Sequence, residues 1–253
     1  MLFRSAAAAS WGASGGWLAF GALVKVYPGL LAPAAVIVAT RRARLLLGAA
    51  VVAVVLVLPF MGAPGPLLRS VVGYQLERGL QVESLWATGV LVAHAFGYPA
   101  AVEFNFGSFH LASGISGVLK LAATLASVAL VAYGTWLAAR RVPRGSARGL
   151  AEVSFAIMAG LLVTGSVLSP QFLVWAGALG ASCLCWPGSP MRRAVVLLGG
   201  ATLATQLLFP FLYLEYYTAQ PAGLALAIIR GLLLIAAAWF ALAAASRRSV
   251  DER

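Results

Sequence analysis

Leu224-Ala225-Leu226-Ala227-Ile228-Ile229-Arg230-Gly231-Leu232-Leu233-Leu234-Ile235-Ala236-Ala237-Ala238-Trp239-Phe240-Ala241-Leu242-Ala243-Ala244-Ala245 carries a single charge. As a helix it rises ~33 Å at ~1.5 Å per residue, enough to cross a ~30 Å hydrocarbon core. Residues 45–60, 119–139 and 194–214 are similar apolar runs. The whole chain is 62% hydrophobic and 10% charged, against roughly 45–50% and 25% in ordinary soluble domains. The expected fold is all-α, a polytopic transmembrane helix bundle forming one integral membrane domain over residues 1–253.

The formal net charge is +11, but the cations stand in short clusters between apolar runs rather than along one face, which excludes a nucleic-acid surface. The clusters are Arg41-Arg42-Arg44, Arg140-Arg141-Arg144-Arg148, Arg192-Arg193 and Arg247-Arg248. The positive-inside rule places all four in the cytoplasm. Helices near 15–40, 45–60, 119–139, 150–168, 171–186, 194–213 and 223–246 then alternate in direction, giving about seven spans and a cytoplasmic carboxyl terminus in a multi-pass plasma-membrane protein. The amino terminus falls outside, with no signal peptide to carry it there. That leads to the expectation of a preceding segment, the alternative being a short tail that crosses unaided. Cys183 and Cys185, two positions apart on one helix, do not face each other. They read as packing residues rather than a disulfide framework.

Residues 85–97 are apolar but too short to span, and a further crossing would break the charge alternation, so they read as a re-entrant or interfacial helix. Residues 61–117 then form an outer-side loop region with Glu77, Arg78, Glu83, His94, Glu103 and His110. Within it, Tyr74-Gln75-Leu76-Glu77-Arg78-Gly79-Leu80-Gln81-Val82-Glu83-Ser84-Leu85-Trp86 mixes charges, amides and aromatics that suit sugar hydroxyls. Read as a helix it puts Glu77 and Gln81 on one face, with Gly79 weakening it by about 1 kcal/mol. An amphipathic surface helix with an internal ion pair fits equally well.

Charges inside hydrocarbon cost about 2.5–3.5 kcal/mol each. Lys25, Lys120 and Arg230 lie sixteen, twenty and seventeen positions from the basic anchors Arg41, Arg140 and Arg247, roughly 24–30 Å away. That is the outer-leaflet level, where a cation meets a lipid phosphate or simply snorkels to water. Gln171, after Ser169-Pro170, offers hydrogen bonds at the bundle mouth, or only follows a tight turn. Glu215-Tyr216-Tyr217 is an aromatic belt or a sugar platform, and Glu215 could pair with Arg230. His94 and His110 have no metal-ligand spacing; each is an outer-loop acid or base, or a packing residue. Neither metal nor cofactor is called for.

Three stretches together resemble glycosyltransferase family 87, the polyprenyl-phosphate-mannose-dependent C-type transferases of actinobacteria. Leu23-Val24-Lys25-Val26-Tyr27-Pro28 is similar to the family's Lys-x-x-Pro segment. Arg78-Gly79-Leu80-Gln81-Val82-Glu83-Ser84-Leu85 is similar to its Arg-Pro-Leu-Gln-Ile-Glu-Ser loop, and Val167-Leu168-Ser169-Pro170-Gln171-Phe172-Leu173-Val174-Trp175 to its Leu-Ser-Pro-Gln-Tyr helix start. The resemblance implies a hexosyltransferase, mannosyl by kind, that takes a sugar from a polyprenyl-phosphate donor in the outer leaflet. The acceptor is a glycolipid or polysaccharide precursor. It further implies phosphate contacts from Lys25 and Arg78 and sugar or loop-orienting hydrogen bonds from Glu83 and Gln171; the depth of Lys120 and Arg230 and the polar segment around Gln81 add these three as substrate-binding candidates.

The family places a catalytic Asp in its first outer loop, whereas the only aspartate here is Asp251. The expectation is therefore the C-terminal part of a longer enzyme, inactive alone unless Glu77 or Glu83 substitutes as base. Two other classes stay open: a transporter or lipid flippase, with Lys25, Arg230 and the helix-breaking Pro28 and Pro33 on a substrate path, and a non-catalytic membrane scaffold.

Overall fold

The computed structural model describes residues 10–62, 65, 69, 73 and 77–247. Asp251, Arg248 and Tyr74 to Leu76 lie outside the described residues. The chain is mainly helical and forms two compact units, Met1–Gly73 with Val131–Ile157 and Leu242–Arg253, and Tyr74–Leu130 with Met158–Ala241. Among the described residues, four helices are long and apolar enough to cross a membrane: Arg42–Phe60, Ser116–Arg141, Ala147–Thr164 and Pro221–Ser246.

In the first unit, α1 (Trp11–Val24) is followed by α2 (Val26–Gly29), α3 (Ala32–Val38) and α4 (Arg42–Val57). The continuous span expected over 15–40 is not formed. Lys25 is extended (φ −151°, ψ 134°), and the chain doubles back there so that Gly21 meets Pro28 and Gly29 meets Ala22. Pro28 cannot donate a helical hydrogen bond, and its neighbours Gly29 to Leu31 make only a short turn before α3. Residues 11–38 are thus a helical hairpin with Lys25 at its tip. Such a reversal frees α4 to run parallel to α1: Gly12 faces Arg44 and Gly48, while Gly16 faces Gly48 and Val52. The start of α1 and the Arg41–Arg44 cluster therefore share one end, where the charge reading set them on opposite sides.

The second basic cluster joins them there. Gly145 donates from its backbone to Val38 O at 2.8 Å, and Arg42 Nε donates to Val36 O at 3.0 Å. Gly145 has φ +86° in this turn, with Thr40 against it. Glu152 is buried but neutralised one turn away by Arg148 at 3.0 Å.

The second unit holds the structure that the sequence reading did not anticipate. Within the segment 74–86 read above as a helix, Leu80–Gln81 instead form strand β1, and an antiparallel sheet of order β1-β3-β2 is completed by β2 (Ala100–Asn105) and β3 (Ser108–Ser113). The chain stays mostly helical, with this one small sheet in the second unit. Phe106 and Gly107 both have positive φ, +49° and +70°, the conformation that a two-residue hairpin turn requires. Between β1 and β2 lies α5 (Leu85–Ala95), eleven residues and ~16 Å long, shorter than a ~30 Å hydrocarbon core. Ser84 starts it by accepting from Ala87 N at 3.1 Å.

The long helices α6 (Ser116–Arg141) and α7 (Ala147–Thr164) run antiparallel, with Ser127 bonded to Thr164 at 3.0 Å and Leu130 against Gly160. Then come α8 (Pro170–Leu184), α9 (Arg192–Leu208), α10 (Tyr213–Tyr217) and α11 (Pro221–Ser246). The helix expected over 194–213 stops at Leu208, because Pro210 brings no N–H to continue it. Leu208, Tyr216, Leu224 and Ala227 pack with Leu80, Val82, Ala87, Val90, Leu91 and Leu111 in one core. That core positions the polar cluster described next.

Candidate functional site

The cluster is built on the segment from Arg78 to Ser84. Gln81 N donates to Ser166 O at 3.0 Å, and Trp86 Nε1 donates to Thr164 O at 3.0 Å. These two bonds fasten β1 and the start of α5 to the connection that leads into Ser169-Pro170-Gln171. Two of the three motif-bearing stretches are thus neighbours. On the other side Val82 N bonds Phe109 O at 3.0 Å, and Gln81 lies opposite His110 in the sheet.

The turn that follows β1 buries Glu83. Its Oε1 accepts from the Tyr213 hydroxyl at 2.5 Å, while Oε2 is buried without a partner. Burial raises the Glu83 carboxyl above the usual carboxylate range, opposed by the Tyr213 hydrogen bond and by the charges of Arg230 and Arg78. Burial likewise raises the Tyr213 phenol, with the Glu83 charge beside it acting the same way. A carboxyl so placed is a stronger base than one in water, and it keeps one free oxygen.

Arg230 comes from the middle of α11 and is 2% exposed. It does not reach for water, and it does not pair with Glu215. Its Nη2 donates to the backbone carbonyl of Glu83 at 2.7 Å, and its guanidinium lies 5.9 Å from the centre of the Tyr216 ring. Tyr216, fully buried, donates to Val82 O at 2.5 Å, which leaves its oxygen to accept from Thr88 at 2.8 Å. Neither belt nor sugar platform describes this residue. Tyr213 and Tyr217 also pack inward, Tyr217 stacked on Phe109 at 4.9 Å. Replacing Tyr216 with Phe removes the donor to Val82 O and costs about 1–3 kcal/mol; thermal unfolding in one detergent should show a fall of a few degrees in Tm.

A second polar chain flanks the first. Arg78 Nη2 donates to Ser108 Oγ at 3.4 Å, and Ser108 Oγ lies 2.8 Å from His110 Nε2. Ser108 Oγ thus links the Arg78 guanidinium to the imidazole, and His110 Nδ1 is buried without a partner. Burial lowers the His110 pKa, reinforced by the charges of Arg78 and Lys120, so the imidazole is neutral at physiological pH. Gly79 packs against the ring: a Cβ there would stand 3.2 Å from Nδ1, so any side chain would press on the imidazole.

Of the residues expected at a site, Arg78, Gln81, Glu83 and Arg230 converge, and Lys120 acts electrostatically on His110. Gln81 is buried with Oε1 unpartnered. Gln171 is exposed at the start of α8, Glu77 is exposed outside the buried cluster, and Lys25 belongs to the first unit at the tip of its hairpin. His94 Nδ1 is tied to Tyr98 O at 2.8 Å. Tyr213, Thr88 and Ser108 were missed. Their types are unremarkable in sequence, and only the pairing of β1 with β3 and the turn into α10 bring them in. Among the described residues no group of three His, Cys, Asp or Glu could hold a metal ion. The chain matches no protein-family model, no curated protein and no solved structure.

Proposed function

We propose that the protein is a membrane glycosyltransferase that moves a hexosyl group, mannosyl by the resemblance, from a polyprenyl-phosphate donor to a lipid or glycan acceptor. In this reading it is a multi-pass plasma-membrane protein with a cytoplasmic carboxyl terminus and an extracytoplasmic working face. With residues 11–38 folded as a hairpin, six passes remain of the seven expected, formed by α4, α6, α7, α8, α9 and α11. Those six still alternate around the basic clusters.

The observation that carries the reading is the buried Glu83 carboxyl, with one free oxygen, under the charges of Arg78 and Arg230. An acceptor hydroxyl would attack the anomeric carbon as the bond to the phosphate oxygen breaks. Its proton would pass to Glu83, and Arg78 would stabilise the departing polyprenyl phosphate. Protein reconstituted with a radiolabelled polyprenyl-phosphate mannose donor should bind and consume it. R78Q should weaken donor binding about ten-fold, whereas E83Q should keep binding and lower turnover by about 100-fold or more. Wild-type protein that neither binds nor consumes the donor overturns the proposal.

A non-catalytic scaffold is the second reading. It is favoured by one observation: Arg230 and Tyr216 direct donors to the backbone carbonyls of Glu83 and Val82, as structural groups do.

A further inference from the structure

The first unit carries a groove of about 710 Å3 between α1 and α4, within the ~300–1,000 Å3 of small-molecule sites. Gly12, Gly16 and Gly48 line it where the two backbones meet, with Trp17 and Phe20 on one wall and Val51 and Val52 on the other. Arg44 stands at one end. Helices α1 and α4 are parallel, so both amino termini point to that same end, each bringing the positive pole of its dipole.

The charge there is uncompensated within the two helices. Neither has an acidic residue in its first turn or a side-chain cap, and Arg41 and Arg44 are exposed. Like charge at a positive helix end is unfavourable, and an anion relieves it. At the same end Trp11, only 1% exposed, holds an Nε1–H with no partner. An apolar channel opening onto a cationic rim has the pattern of a phospholipid with a negative headgroup. We propose that this groove binds one anionic phospholipid, its phosphate held by Arg44 and Arg41 and an acyl chain laid along Gly16, Gly48 and Val51. The site is independent of the sugar-transfer reading.

Native mass spectrometry of delipidated protein titrated with phosphatidylglycerol or phosphatidylcholine tests this. Wild type should retain one phosphatidylglycerol about ten-fold more strongly than phosphatidylcholine. R41Q/R44Q should weaken it by about ten- to thirty-fold, the weight of two basic contacts to an anionic surface. Val51→Trp should block the groove and weaken it as much without changing charge, and R192Q/R193Q, another exposed pair opening a helix, should leave it intact. Equal retention of the two lipids, no effect of Val51→Trp, or an equal loss in R192Q/R193Q would overturn the proposal. A dimer mass replacing the lipid adduct would assign the groove to a second copy and overturn it as well.

Discussion

Gly15→Ala is expected to be among the most damaging single-methyl changes in the chain. A Cβ at Gly15 would stand 1.8 Å from Leu45 O, and one at Gly48 would stand 2.0 Å from Gly12 O. Both obstacles are backbone, so no rotamer change relieves them. Carbon and carbonyl oxygen normally approach to ~3.3 Å, and the helices must therefore separate by about 1 Å or more. Small residues permit this kind of close contact between helices in a membrane, where packing rather than apolar burial holds them together. The cost should reach or exceed the upper end of the ~1–3 kcal/mol typical of overpacking. Gly48→Ala should match it, and the double variant should cost less than the sum, because separation for one methyl makes room for the other. Gly177→Ala is the control. Nothing lies within 4 Å of that position, and alanine inside a helix gains up to ~1 kcal/mol. Thermal unfolding in a single detergent reads all four. A Gly15→Ala protein that melts with wild type would mean that α1 and α4 do not touch at this register.

The long helices were legible because lipid solvent writes their length directly into composition. Residues 223–246 became α11 at Pro221–Ser246, and residues 119–139 became α6 at Ser116–Arg141. Where the chain folds by close approach or by strand pairing, composition is silent. The hairpin at Lys25 depends on Pro28 meeting Gly21 and on glycines meeting across α1 and α4, and an apolar run from 15 to 40 looks the same whether it crosses or turns back. The sheet left a faint signal in the alternation from Val102 to His110 and in Gly107 placed for a two-residue turn. Charge and aromatics in that stretch drew attention to chemistry instead. The site was half legible. Arg78, Gln81 and Glu83 stand together in sequence, and Arg230 stood out as a cation in an apolar run. Tyr213, contacted across 130 positions, and the Glu83 carbonyl, across 147 from Arg230, are fixed only by tertiary structure.

Arg230→Met carries the second large effect and shows which way the buried cluster is poised. The change leaves the Glu83 carbonyl without its donor and removes one of the two cations that hold the carboxyl down. Leaving a buried acceptor without its charged donor costs about 1–3 kcal/mol. Against this, the same substitution removes the ~2.5–3.5 kcal/mol expense of a charge in an apolar helix. That relief acts mainly on a lipid-facing side chain, and Arg230 is enclosed by protein, so the loss should dominate and Tm should fall. The pH profile identifies the cause. Glu83 has a folded pKa above its ordinary 4.5, so the native state binds the extra proton. Its contribution to stability is present below pH 4.5, declines as pH rises through the folded value, and is then flat. E83Q should abolish that decline, keeping the oxygen that Tyr213 needs while removing the titration. R230M should widen it, since the carboxyl loses a favourable charge and titrates higher. E83Q/R230M should recover about 1–3 kcal/mol of the R230M loss, because the acid stranded by the first change is no longer charged. Parallel profiles for wild type and E83Q between pH 4.5 and 8 would show that the Glu83 carboxyl is solvated, and both the stability argument and its role as the proposed base would fall with that result.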